Sequence, residues 1–360
     1  MCIRDSYNKE RRERKNTAAR DDERETGETK GRMEERLKET SKEVIRKTEK
    51  EKRGGYLLLD IGGTEIKGCA SDAEGEKTRI RKFPSQAQKS AEKILDNFSR
   101  ICRELLKDVD GSVCGVGMAI PGPFDYEKGI SRMQGLNKYD AIYGIPLENE
   151  IKARVPELQE AEFLFLHDIE AFALGESWCG TCRGAEKILC VCIGTGAGSA
   201  FIEHRKTIKT GIGVPENGWI YRMPFRKSIL DDYLSVRGLE RISLAVMGKV
   251  QSGRELSHLA EAGNMEAQEV WRRFGADAAE GLLPVLTAYR PDLLLLGGQI
   301  SKSFRWFGAQ LNAACEKRGI RIQIEPETSA RAMDGLLSQL RLQESVTYRA
   351  AKQSKTENEE

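Results

Sequence analysis

Residues 57–68 read "LLLDIGGTEIKG": three leucines, an aspartate and an isoleucine running into two glycines, a threonine and, three residues further, a lysine. An apolar run that stops at once on glycines reads as a buried strand entering a tight turn. Without a Cβ the backbone of such a turn can approach a guest closely. Backbone amides left pointing outward there form an anion-sized concavity. Phosphate is the obvious guest. Asp60, beside the turn, is the kind of ligand Mg²⁺ takes, since that ion prefers one or two carboxylates plus phosphate oxygens. Taken alone, the turn is equally an ordinary hairpin.

The same plan returns in the second half. "AEKILCVCIGTGAGSAFIEHRK" (185–206) is again an apolar strand, a glycine turn and an apolar strand. "DLLLLGGQIS" (292–301) ends a third strand on two glycines, after the long helical stretch "VWRRFGADAAEGLLPVLTAYRP" (270–291). The first two turns could hold a chain of phosphates from opposite sides and the third an adenosine. Elsewhere, "SAEKILDNFSRICRELLKDV" (90–109) carries Ile94, Leu95, Phe98, Ile101, Leu105 and Leu106 at helical spacing. "VCGVGMAIPGPFD" (113–125) is a strand leaving through a rigid Pro-Gly-Pro loop. "EAEFLFLHDIEAFALGES" (160–177) is a strand, a sharp stop at Asp168 and a helix. Strands alternating with helices predict an α/β architecture. A strand–glycine–strand unit in each half, at 60–67 and 192–201, predicts two related domains with a ligand cleft between them.

Other classes fit less well. Walker A spacing is absent. "GTGAGS" (194–199) approaches a dinucleotide fingerprint, but Ser199 stands at the third glycine, and "AFIEHRK" continues as strand where that fingerprint needs a helix. The net charge is +2 over 360 residues, so bulk electrostatics favour neither nucleic acid nor a membrane surface. No run approaches a membrane span, and the start lacks the apolar middle of a secretory signal. Nine cysteines, scattered and odd in number, suit a reducing compartment, so a cytoplasmic protein is expected. Residues 1–53 hold 18 Lys or Arg and 14 Asp or Glu with few large apolar residues. That composition predicts a disordered, solvated tail rather than a nucleic-acid-binding arm. The expected divisions are therefore this tail, an N-terminal domain over 54–165, a C-terminal domain over 166–342 and a polar, frayed end over 343–360.

In order and spacing, "DIGGTEIKG", "GMAIPGPFD", "LHDIEAFALGE", "CIGTGAGSAF", "PENGW" and "RPDLLLLGGQIS" resemble the ROK family of sugar kinases and sugar-responsive repressors. The resemblance runs from about Leu57 to Leu340. It implies two actin-like (ribonuclease H-like) ATPase domains, ATP and Mg²⁺ as cofactors, a hexose or related sugar as substrate, and often a homodimer. It carries Asp60, Gly62, Gly63, Thr64 and Lys67 to the first phosphate motif, with Mg²⁺ through Asp60. Gly194, Thr195, Gly196 and Gly198 match the second phosphate motif, Gly297 and Gly298 the adenosine motif, and Asp168 the catalytic base. A carboxylate at the end of a strand, opening a helix, can also accept a proton from a sugar hydroxyl on elementary grounds; the bland reading of Asp168 is a helix cap.

The departures fall on the sugar side. His167 stands where the family has an asparagine beside the base. "ENGW" keeps Glu216 but has Trp219 in place of the signature histidine. That histidine ordinarily binds zinc with three cysteines that follow; "IYRMPFRKSILDDYLSVRGL" (220–239) has no cysteine, so no structural zinc is expected. Asp231 aligns with a sugar-binding glutamate, one methylene shorter, and Asn137 with a sugar-contacting asparagine. Trp219 could stack on a sugar or merely fill the space of the lost zinc loop. Three functions follow: a sugar kinase with Asp168 as base, a sugar-responsive regulator, or a sugar- or nucleotide-binding protein without turnover. Family repressors carry a winged helix-turn-helix, which the charged tail does not resemble. Cys190 and Cys192 alternate inside an apolar strand and read as core, as do Trp271 and Phe274; Cys179 and Cys182 give only a weak metal signal.

Overall fold

The computed structural model describes residues 54–357, so the tail expected over 1–53 lies outside the described residues. The first half contributes β1 (Gly55–Ile61), β2 (Glu65–Ser71), β3 (Arg81–Pro84), helix α1 (Ala91–Leu106), β4 (Val113–Ile120), the short pair β5 (Phe124–Asp125) and β6 (Ile130–Ser131), α2 (Leu147–Arg154) and β7 (Glu162–His167). Its sheet has the order β3-β2-β1-β4-β7, with β2 antiparallel to β1 and β3, and with β1, β4 and β7 parallel. The all-apolar start of β1 follows from burial on both faces. Leu57, Leu59 and Ile61 face the core shared with α1, while Tyr56 and Leu58 face the opposite layer. The side-chain period of two along a strand divides them in this way.

The second half repeats the plan. It contributes α3 (Asp168–Trp178), β8 (Lys187–Ile193), β9 (Ala197–Glu203), β10 (Lys206–Ile208), the hairpin β11 (Pro224–Phe225) and β12 (Ser228–Ile229), α4 (Val236–Met247), α5 (Gly253–Glu261), α6 (Met265–Tyr289), β13 (Leu293–Gly297), α7 (Phe304–Glu316), β14 (Arg321–Ile324) and α8 (Thr328–Glu357). The sheet order is β10-β9-β8-β13-β14, antiparallel on the β9 side and parallel from β8 to β14, the arrangement of the first sheet over again. Helix α6 begins five residues before the periodicity predicts, because Asn264 caps it by accepting from the Ala267 N–H at 2.8 Å. Trp271 and Phe274 are fully buried against Phe307, as their spacing predicts. The polar stretch after Leu342 continues α8 to Glu357, in keeping with its lack of glycine and proline.

Helices α3 and α8 cross in the layer that joins the two sheets. Phe172 and Leu174 of α3 share a core with Met333, Leu336 and Leu340 of α8, with Leu58 of the first sheet and with Ile188 and Leu295 of the second. The crossing depends on two glycines. A Cβ at Gly175 would stand 1.8 Å from the Arg331 carbonyl oxygen, and one at Gly335 would stand 1.9 Å from that of Ala171. Buried Glu176, next to Gly175, holds Arg331 Nε at 2.9 Å and completes the contact. Because α3 starts at Asp168 and α8 at Thr328, this crossing also sets how the two helix starts meet at the cleft.

Candidate active site

The parallel strands of both sheets deliver their carboxyl ends to one cleft of about 470 Å³, the place where open α/β sheets bind ligands. Three carboxylates line it, Asp60, Asp168 and Asp231, the first two at strand ends. Asp60 is the penultimate residue of β1 and pairs across the hairpin with Lys67. Asp168 opens α3 directly from the end of β7, and its Oδ1 accepts the Ile169 N–H at 2.8 Å. Burial pushes the Asp60 carboxyl above its ordinary range. A hydrogen bond from Ser329 and the charge of Lys67 oppose that shift, and the negative charge of Asp168 adds to it. Lys67 Nζ in turn donates to Ser329 Oγ at 2.7 Å. A half-buried carboxylate held up in this way suits a cation as its partner.

The second glycine turn and Gly298 of the third line the same space, whereas Gly62, Gly63, Thr64 and Lys67 of the first, and Gly297, stand outside its lining. In the first, the protein takes up the carbonyls: Tyr139 Oη donates to Gly62 O at 2.9 Å, Ser85 Oγ to Gly63 O at 2.6 Å and the Ser85 N–H to Thr64 O at 3.1 Å. In the second, Gly194 N–H donates to Gly196 O at 2.9 Å, closing the turn, and the Val236 N–H at the start of α4 caps Gly194 O at 2.9 Å. Gly194, Gly196 and Gly198 line the cleft, and Thr195 is exposed at the tip of the turn. In the third, Gly297 ends β13 and Gly298 follows at φ +83°, where a Cβ would stand 2.5 Å from Ile193 O. Only glycine meets both demands at that position.

The residues expected on the sugar side are dispersed. His167 lines the cleft; its Nδ1 lies 3.1 Å from Asp168 Oδ1 and accepts the Ile169 N–H at 3.3 Å, while its ring meets Tyr126 edge-on at 6.0 Å. Asp231 also lines the cleft, with Oδ1 accepting the Ala197 N–H at 2.6 Å. Asn137 and Glu216 are exposed and stand outside the cleft lining, as does Trp219. Trp219 packs on Tyr221 at 5.9 Å, under the guanidinium of Arg222. Tyr221 is the aromatic that lines the cleft. The segment 220–239, where family zinc ligands would fall, forms the β11–β12 hairpin, and no cluster of three metal-ligating side chains occurs among the described residues. Cys190 is buried, and half-buried Cys192 reaches the cleft floor.

Sequence reasoning did not single out Thr328 and Ser329, which bring the start of α8 to the cleft and to Asp60. A threonine and a serine ahead of a helical run are the only local signal for them. Tyr221 was hidden beside the more conspicuous Trp219.

Two α/β lobes of one topology, with the carboxyl ends of their parallel strands at one cleft, define the actin-like ATPase fold. The family model of the ROK family matches residues 56–331, and the chain belongs to that family. It is 27% identical over 268 residues to the N-acetyl-D-glucosamine kinase of Haemophilus influenzae, covering 68% of this chain and 84% of that relative. A ROK family glucokinase from Streptomyces griseus, solved in complex with glucose and AMPPNP, superposes with a TM-score of 0.62 at 19% identity, over 80% of this chain and 100% of that one. A ROK family transcriptional regulator, a homolog of the E. coli MLC protein, gives a TM-score of 0.67 at 14% identity, over 79% and 78% of the two chains. Among the described residues no helix is long and apolar enough to cross a membrane.

Proposed function

We propose that the chain is an ATP-dependent sugar kinase that moves the γ-phosphoryl group of ATP to a hydroxyl of a hexose or related sugar. The observation that carries this reading is the convergence on one cleft of Asp60, Asp168, the second glycine turn and Gly298 of the third. Neither a repressor nor a passive sugar-binding protein has a chemical need for both carboxylates there. The two lobes, 54–165 and 166–342, close over the substrates, with the last helix spanning both. Asp168 accepts the proton of the sugar hydroxyl as its oxygen bonds to the γ-phosphorus and the bond to ADP breaks. The first two turns bracket the phosphates, Gly297 and Gly298 make room for the adenosine, and Lys67 adds positive charge beside Asp60. Asp60 is the residue that would hold Mg²⁺, whose charge, when bound, offsets that of the triphosphate. His167 and Tyr221 face the sugar. The reading places the protein in the cytoplasm as a homodimer, without nucleic-acid or membrane partners.

The test is ADP release with Mg-ATP against glucose, mannose, fructose, allose, N-acetylmannosamine, N-acetylglucosamine and a β-glucoside. Turnover that depends on one of these sugars is expected. Sugar or nucleotide binding without turnover for any of them would overturn the kinase reading in favour of a sensor.

A second expectation concerns Asp60. Its carboxyl is held above the range it has in the unfolded chain, so the folded state prefers the protonated form. Ionisation therefore costs the native state stability, and the cost is fully present once pH exceeds the raised folded value. Asp60→Asn removes that cost. We expect the variant to melt higher than wild type at neutral pH without ligands, and to have lost turnover. A lower melting temperature would show that Asp60 is part of the structural frame.

A further inference from the structure

We infer that Asp231 and Arg237 form a latch on the second glycine turn, so that Asp231 positions the nucleotide side of the cleft and not the sugar. The inference takes from the kinase reading only the identity of the two substrates. Both oxygens of Asp231 are committed to the turn and its latch. Oδ1 accepts the Ala197 N–H at 2.6 Å, and Oδ2 accepts from the guanidinium of Arg237. Arg237 also donates to Thr195 O at 3.2 Å, at the tip of the same turn. Asp232 lies 3.9 Å from that guanidinium and adds a weaker charge contact. Gly196 gives the carboxylate room: a Cβ there would stand 2.9 Å from Asp231 Oδ1. The backbone holds the pair from behind, since Ser235 Oγ donates to Asp231 O at 2.6 Å and the Val236 N–H caps Gly194 O. Every group bonded to Asp231 belongs to the turn 194–197 or to the start of α4.

The chemistry requires the pair to act together. A carboxylate beside a turn that receives phosphate repels the incoming anion unless its own charge is offset. Arg237 offsets it and holds the Thr195 carbonyl, while its half-exposed guanidinium leaves positive charge beside the turn. Removing the arginine alone leaves the carboxylate uncompensated. Removing both charges leaves a neutral turn that has lost only its fastening.

The experiment titrates Mg-AMPPNP into the full-length wild type, Arg237→Ala, Arg237→Lys, Asp231→Asn and the double variant, alongside the KM for sugar in each. Arg237→Ala is expected to weaken nucleotide binding about tenfold or more, the scale of a lost charged hydrogen bond. Arg237→Lys should recover part of that loss, and the double variant should bind nucleotide more tightly than Arg237→Ala. The sugar KM should stay near the wild-type value throughout. Unchanged nucleotide affinity in both single variants would overturn the latch. So would a sugar KM that rises in Asp231→Asn while nucleotide affinity holds, which is the outcome for a direct sugar ligand. If the wild type turns over no sugar, the kinase reading fails while the nucleotide titrations still decide the latch.

Discussion

Asp168→Asn is expected to lower sugar-dependent turnover about a thousandfold while leaving nucleotide and sugar binding close to wild type. The substitution is chosen because it separates the base from the cap. Asp168 Oδ1 accepts the Ile169 N–H at 2.8 Å, and an asparagine oxygen can accept the same bond, so the start of α3 keeps its hydrogen bonding. The N-cap of α3 is His167, with Asp168 its first residue, so the substitution leaves the cap itself in place. A purely structural Asp168 therefore predicts a variant with wild-type stability and wild-type turnover. A base predicts wild-type stability with turnover lost, because the amide cannot take the hydroxyl proton. Steady-state ADP release together with thermal unfolding of both proteins decides the matter. Loss of fold in the variant would count against both roles.

Gly335→Ala, or Gly175→Ala on the opposite helix, is expected to destabilise the protein by about 3 kcal/mol. An ordinary glycine in a helix interior gains stability on becoming alanine, by roughly 1 kcal/mol. Here the sign reverses, because the new methyl would lie 1.9 Å from Ala171 O or 1.8 Å from Arg331 O. Neither contact is with a flexible side-chain end, so the helices themselves must part. Parting them opens the core of Phe172, Met333 and Leu336 and shifts Asp168 against Ser329 and Thr328. Turnover should fall with stability, although neither glycine touches the cleft. Urea unfolding with parallel ADP-release assays checks both effects. A variant at least as stable as wild type would mean that the helices can separate at little cost.

Much of the fold was legible because its signals are local. The leucines of β1, the strand–glycine–strand units at 60–67 and 192–201 and the helical spacing of 90–109 each state their structure within a few residues. All occur in the structure at the expected places. The glycines matched to nucleotide motifs sit in turns at strand ends, although Gly62, Gly63 and Gly297 stand outside the cleft lining. The sugar half was less legible. Asn137, Glu216 and Trp219 were marked by resemblance to a pattern, and the structure places them outside the cleft lining, whereas Tyr221 reaches it. Which of two neighbouring aromatics turns inward depends on the path of the β11–β12 hairpin, and no local spacing encodes that path.

What the sequence by itself determined is the repeated α/β plan, the three glycine turns and the two acids at strand ends. Each of these depends on burial period, backbone freedom at glycine or the residue that ends a strand, all properties of short segments. Only the tertiary structure decided that Asp60 and Lys67 meet Ser329, that Asp231 fastens the second turn through Arg237, and that Gly175 and Gly335 lock α3 to α8. Most of those contacts join residues far apart in the chain. Their energies come from close approach and from charge in a half-buried setting, and both exist only once the lobes have packed.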